Sequence, residues 1–280
     1  MTAVDGVAPR PAVTAALAIT RRRTALSMVH HQLRYDLKVF WRNRQARFFT
    51  FALPILMLVL FVSIFGDNKY RMGGQLVGGS TYYLANLIGF GTVDAAMMSM
   101  AIGIVATRES GILKRRRATP QPAWVVIVSR ALAGIIASVA LAAALLMLGR
   151  VAYSVELPVA GLGAFTLAVV VGTFAFCALG FAASGLVRNV DAAQPVMMMV
   201  TLPLFFISGV FVPWPFIPGW LHAVAVIFPV RHMALAVLTP LTSPHGGGVR
   251  TADLLITALW GVAGLLVAVR TFKWTPRLQE

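Results

Sequence analysis

The sequence predicts an all-α polytopic membrane protein with six transmembrane helices, an N-terminal amphipathic elbow helix, and an extracellular re-entrant helical hairpin before the last span. Three observations carry that class. Of 280 residues, 59% are hydrophobic and 12% charged, and the mean hydropathy is +0.81, too apolar for a chain whose elements each bury a single face. The apolar residues gather into six runs near the length of about 20 that crosses a bilayer. Lysine and arginine fall between those runs mainly on one side, as they do in cytoplasmic loops.

Taken in order, residues 1–24 hold a short apolar patch, AVTAALAIT, followed by Arg21, Arg22 and Arg23. No small-residue cleavage site follows, and MVHHQLRYD stands where a twin-arginine signal would need an apolar core. This segment is expected to be a disordered cytosolic tail. In residues 25–46, Leu26, Val29, Leu33, Leu37, Phe40 and Trp41 repeat at three and four, while His31, Arg34, Lys38, Arg42 and Gln45 fall opposite. That pattern predicts an amphipathic helix lying on the inner leaflet, with Trp41 at headgroup level and Arg34, Lys38 and Arg42 toward anionic lipid. An ordinary juxtamembrane helix fits the same pattern.

The transmembrane domain is expected over 47–272. Its spans are expected at about 48–66, 81–106, 123–149, 160–187, 195–212 and 252–270, with 273–280 as a cytosolic C-terminus. With the N-terminus inside, 18 of the 24 cations lie inside. Lys69, Arg71, Arg150, Arg231 and Arg250 lie outside, and Arg130 lies within a span. The bias places both termini in the cytoplasm and the chain in the plasma (inner) membrane.

The same parity resolves residues 213–241, which are apolar enough for a seventh span. Seven spans would put Arg270, Lys273 and Arg277 outside. Pro213, Pro215 and Pro218 end the fifth span, and Pro229 with the adjacent Arg231 and His232 divides the rest of the segment into two short helices. Trp214 lies between the first two prolines. An outer hairpin is therefore expected, covered by protein or a water-filled cavity.

Several kinds of chemistry find no footing. The nine acids are Asp5, Asp36, Asp67, Asp94, Glu109, Glu156, Asp191, Asp253 and Glu280, and none are paired for two-carboxylate catalysis or metal-dependent phosphotransfer. HExxH, GxSxG and GxxxxGK[ST] are absent, so no catalytic residue, metal ligand or cofactor is assigned to this chain. Cys177, the single cysteine, permits neither a disulfide framework nor a CxxC site and reads as a small buried residue. The five histidines are dispersed. Nucleic acid is excluded as a partner because the cations are segregated into short segments rather than striped along a surface.

Asp94 lies well inside an apolar run, beside Thr92 and Ser99. An acid there either lines a central cavity or dimer seam or makes an interhelical hydrogen bond. Met97, Met98, Met197 and Met198, with Phe205 and Phe206, suit a promiscuous apolar path, and methionine also simply packs well.

Two motifs remain. The loop 107–122 carries Arg108, Glu109, Gly111, Leu113, Lys114, Arg115, Arg116, Thr119 and Pro120. Its cations alone obey the positive-inside rule, but Gly111 and Pro120 can bound a short helix and Glu109 can pair with a soluble partner. The second motif is FFISGVFVPWPFIPGWLHAVAVIFPVRHMALAV at 205–237.

Together and in this order the two motifs resemble those of ABC-2 type exporter permeases, of the daunorubicin-resistance-like drug exporter kind, over about residues 30–272. The resemblance implies a six-helix permease, homodimeric or heterodimeric, that binds two copies of a cytosolic ABC ATPase. ATP and Mg would sit on that partner and none in this chain. It also implies that 107–122 is a coupling loop docking the ATPase, that 25–46 is the elbow, and that the outer hairpin closes the extracellular side. Ile112 departs from the threonine common in relatives. The expected cargo is an amphipathic or apolar small molecule such as a drug, antibiotic or lipid, because the spans are nearly free of charge. Alternatives are a polysaccharide or other polar cargo, and an ATP-independent channel or secondary transporter, which would need coupling-ion carboxylates or inverted repeats.

Overall fold

The computed structural model describes residues 25–72, 75–111, 123–157, 159–242 and 248–271. The expected tail at 1–24, most of the charged loop and the end of the chain lie outside them. Helix α1 (Ala25–Arg42) partly buries Val29, Leu33, Leu37 and Phe40, the stripe that its periodicity selects. Leu26 and Trp41 stay exposed. Gln32 is buried on that face and donates to Asp36 Oδ1 at 2.8 Å. Asp36 Oδ2 accepts from Ser129 Oγ at 3.2 Å, so a polar contact helps hold α1 to α4 (Ala123–Tyr153).

The single helix expected over 25–46 is two. Asn43 adopts extended backbone and its side-chain oxygen accepts the Ala46 N–H at 3.1 Å, which is N-cap geometry. Helix α2 (Arg44–Phe65) therefore starts there and takes Gln45 with it. It carries a π-helical turn at Phe48–Ala52.

A small antiparallel hairpin comes next, β1 (Lys69–Met72) with β2 (Gln75–Gly78), pairing Tyr70 with Val77 and Arg71 with Leu76. Alternation along a strand sends successive side chains to opposite faces. Tyr70 and Val77 are buried, whereas Arg71 and Leu76 are exposed. The hairpin lay unrecognised in the sequence because four residues per strand give too short a pattern.

Helix α3 (Gly79–Glu109) is the central column, 72% buried along its apolar window against 22% for α2 and for α6 (Val190–Ile207). Tyr82 and Tyr83 are wholly buried near its start; Tyr83 stacks with Phe61 and Phe65, and Tyr82 packs at a tilt against Tyr70. A second π-helical turn, Asp94–Met98, interrupts it midway. Around it stand α4, α5 (Leu162–Ser184), α6 and α9 (Thr251–Thr271). Among the described residues, six helices, counting α2 and α3, are long and apolar enough to cross a membrane.

Most boundaries fall within a few residues of those expected, but the fifth span moves from 195–212 to Val190–Ile207. Asn189 caps it, accepting the Ala192 N–H at 2.9 Å, so it begins before Pro195. It ends because Gly209 sits at φ +86, a left-handed turn that glycine takes without a Cβ clash. After a 3-10 turn at Trp214–Phe216, two helices, α7 (Gly219–Ala225) and α8 (Pro229–Thr242), meet at 86°. Helix α8 is buried almost throughout and packs on α3, α5 and α9.

Candidate functional site

The basic end of the bundle carries Arg42, Arg44, Arg108, Arg188 and Arg270 at or near helix termini. Here α3 ends beside the reversal from α5 to α6. A helix leaves its last carbonyls and first amides without intrahelical partners. Arg108, only 3% exposed, reaches across to them. Its Nη1 donates to Ser184 O at 3.2 Å, and its Nη2 donates to Val187 O at 2.5 Å and Arg188 O at 3.1 Å. Glu109 Oε2 accepts the Val190 N–H at 2.8 Å. A cation thus closes the carbonyl end of α5 and an anion the amide end of α6, the signs that helix dipoles favour.

Beneath the pair, Val105, Val187 and Ala193 form a small core separate from the main one, flanked by Ile102, Val190 and Ala192. Gly111 follows at φ +69, its N–H donating to Arg108 O at 3.2 Å. A left-handed residue there stops the helix. Leu113, Lys114, Arg115, Arg116, Thr119 and Pro120 lie outside the described residues. Arg34, Lys38, Trp41 and Arg42 all lie on exposed positions of α1.

Midway along α3 the residues selected from sequence divide by burial. Asp94 and Met98 are partly exposed, and Met198 and Phe206 are exposed on α6. Met97, Met197 and Phe205 are buried inside the protomer, Phe205 against Phe90 and Phe211. Ser99 is exposed, with its hydroxyl bonded to Ala95 O. The more exposed positions on this half of α3 therefore include one acid, one hydroxyl and one thioether. Cys177 is buried, with Ala96 O 3.8 Å from its sulfur.

The opposite end holds a denser polar network around the α7–α8 bend. His232 Nδ1 lies 2.5 Å from Asp253 Oδ1, and its Nε2 lies 2.8 Å from Val226 O. A carboxylate and a carbonyl both accept, so the ring donates from both nitrogens, which is the imidazolium form. Arg250 Nε stands 2.5 Å from the other Asp253 oxygen. Trp260 Nε1 donates to Ile227 O at 2.8 Å. The carbonyls freed by the bend are thereby satisfied from α8 and α9.

On the neighbouring turn the Arg231 guanidinium carbon lies 3.1 Å from the Trp214 ring centroid, and the His222 ring stacks on the same indole at 3.8 Å. Pro213 and Pro215 bracket Trp214, Pro218 precedes α7, and Pro229 begins α8. The Tyr82 hydroxyl donates to Gly209 O at 2.5 Å and fixes this turn to α3.

Sequence reasoning picked out Trp214, Arg231, His232 and the prolines as breaking this segment, but gave His232 no partner and missed Tyr82, His222, Asp253 and Trp260. Asp253 offered a signal, an acid at the edge of an apolar run. Its partner 21 residues earlier follows no helical spacing and becomes visible only when α8 packs on α9.

Similarity to known proteins bears on this arrangement. The family model for the ABC-2 type transporter matches residues 30–241, from within α1 nearly to the end of α8. The chain is 25% identical over 180 residues to the probable multidrug ABC transporter permease YbhR of Escherichia coli (strain K12). It is similar to the same degree to the protein of that name from Escherichia coli O157:H7. Each alignment covers 64% of this chain and 47% of the relative, so the chain spans about half the length of the curated relatives it matches. With well over half of its length inside the family model, and with six helices among the described residues apolar and long enough to cross a bilayer, this chain belongs to the ABC-2 type transporter family.

Proposed function

We propose that the chain is the transmembrane permease subunit of an ABC exporter. It moves an amphipathic or apolar compound, such as a drug, antibiotic or lipid, out of the cytoplasm with ATP hydrolysed by two copies of a separate nucleotide-binding subunit. The observation that carries the reading is the family match over 30–241. The name of the Escherichia coli relatives, a probable multidrug permease, supports the cargo class. ATP and Mg belong to the partner.

In this reading the basic end faces the cytoplasm, as the positive-inside rule requires, and both termini lie there. The chain pairs with a second permease, and loop 107–122 docks the ATPase beside the elbow helix α1. The α7–α8 pair is a re-entrant hairpin on the outer face. Its bend lies at a depth where backbone groups need protein partners, and Val226 O and Ile227 O have them. Asp94, Met98, Met198 and Phe206 line the path or the seam between permeases, because a partly exposed carboxylate in an apolar helix needs water or protein opposite it.

Co-expression with the neighbouring genes tests the reading. The chain is expected to retain a P-loop ATPase through purification and, with it, to lower drug accumulation in cells. A chain that never retains such an ATPase would overturn it. For the hairpin, Gly219→Cys in a Cys177→Ala background should label from outside the cell, and labelling from the cytosol alone would refute the orientation.

A further inference from the structure

The loop 107–122 is expected to meet the ATPase, yet its first two charged residues are engaged with the protein's own backbone. Arg108 is buried and spends its guanidinium on three carbonyls of the α5–α6 reversal, and Glu109 accepts from the first amide of α6. The span that enters the loop is thereby fastened to two others at a point where a separate small core, Val105, Val187 and Ala193, already joins them. One residue further, Gly111 releases the chain from the helix.

We propose that Arg108 and Glu109 are positioning residues that pass movement of the ATPase-docked loop into α5 and α6, rather than contacts to the ATPase itself. The inference rests on the exporter reading above. Three physical points support it. A buried guanidinium with a fixed fork of donors holds three carbonyls in one geometry, which a flexible apolar contact does not. The fastening also sits at helix ends, so a displacement of loop 110–122 pulls on the axes of α5 and α6. Finally, the Glu109 contact uses one acceptor oxygen on a backbone amide, a role that a neutral amide side chain can fill.

That last point separates positioning from docking by charge. The assay uses the full chain co-purified with its ATPase and follows hydrogen exchange in the segment 186–193 with and without ATP. Wild type is expected to retain the ATPase and to change its exchange in 186–193 when nucleotide is added. Glu109→Gln, which keeps an acceptor and loses the charge, is expected to match wild type in both readouts. Glu109→Ala is expected to retain the ATPase while the nucleotide-dependent change falls at least about fivefold. Arg108→Lys, one ammonium in place of the fork, should fall in the same direction.

The proposal is overturned if Glu109→Gln or Glu109→Ala loses the ATPase, since the glutamate would then belong to the docking surface. It is equally overturned if Glu109→Ala responds to nucleotide as wild type does, or if wild type retains the ATPase and shows no response in 186–193. Wild type retaining no ATPase at all would instead sink the exporter reading on which the inference stands.

Discussion

The two ends of the bundle face one problem, unpartnered backbone at helix breaks, and handle it differently. At the bend end, His232 and Asp253 are both buried, their charges face each other, and Trp260, Arg231 and Trp214 close around them. At the basic end, Arg108 is buried among carbonyls while Glu109 remains exposed. Taking charges out of water makes the first junction costly to break. Leaving half of the second in water makes it cheap to load and release. The bend end is built to hold one geometry, and in the exporter reading proposed above the basic end is the one acted upon.

Removing Asp253 is the largest way to break that contrast. Asp253→Ala leaves the His232 imidazolium buried without its counter-charge, and losses of about 3–5 kcal/mol are typical when one member of a buried pair is deleted. Thermal unfolding of the purified protein is the measurement, and a loss no larger than that from Glu109→Ala would dissolve the comparison. Next comes Tyr82→Phe, which orphans the buried Gly209 carbonyl and should cost about 1–2 kcal/mol in the same assay.

The smallest effect on thermal unfolding belongs to Glu109→Ala, which withdraws one exposed acceptor from a helix start and should cost only about 0.3–1 kcal/mol.

Much of the fold was legible because the period and length of apolar runs report membrane helices directly. Charge placement kept 213–241 from being counted as a seventh full span, and the 86° bend at 226–228 agrees with two short helices there. Capping chemistry was the weak point. Asn43 splits the first amphipathic stretch and Asn189 starts α6 early, and neither changes the hydrophobic pattern. The site was legible where a residue is unusual for its surroundings, as with Arg231, which packs on Trp214. It was not legible where function depends on a partner distant in sequence. Arg108 reads in sequence as one more cation of a basic loop, and its carbonyl partners, 76 to 80 residues on, follow no local pattern.

The π-helical turn at Asp94–Met98 bears on this last pairing. A turn of that kind holds one residue more than an α-helical turn, so it sets the angular phase of everything after it in α3. If the same residues wound as regular α-helix, with none deleted, the C-terminal half would rotate by about 100°. Arg108 would then swing away from Ser184 and Val187. The extra residue midway along the helix thus acts as a phase shifter, and the aim of the Arg108 side chain at the basic end depends on it.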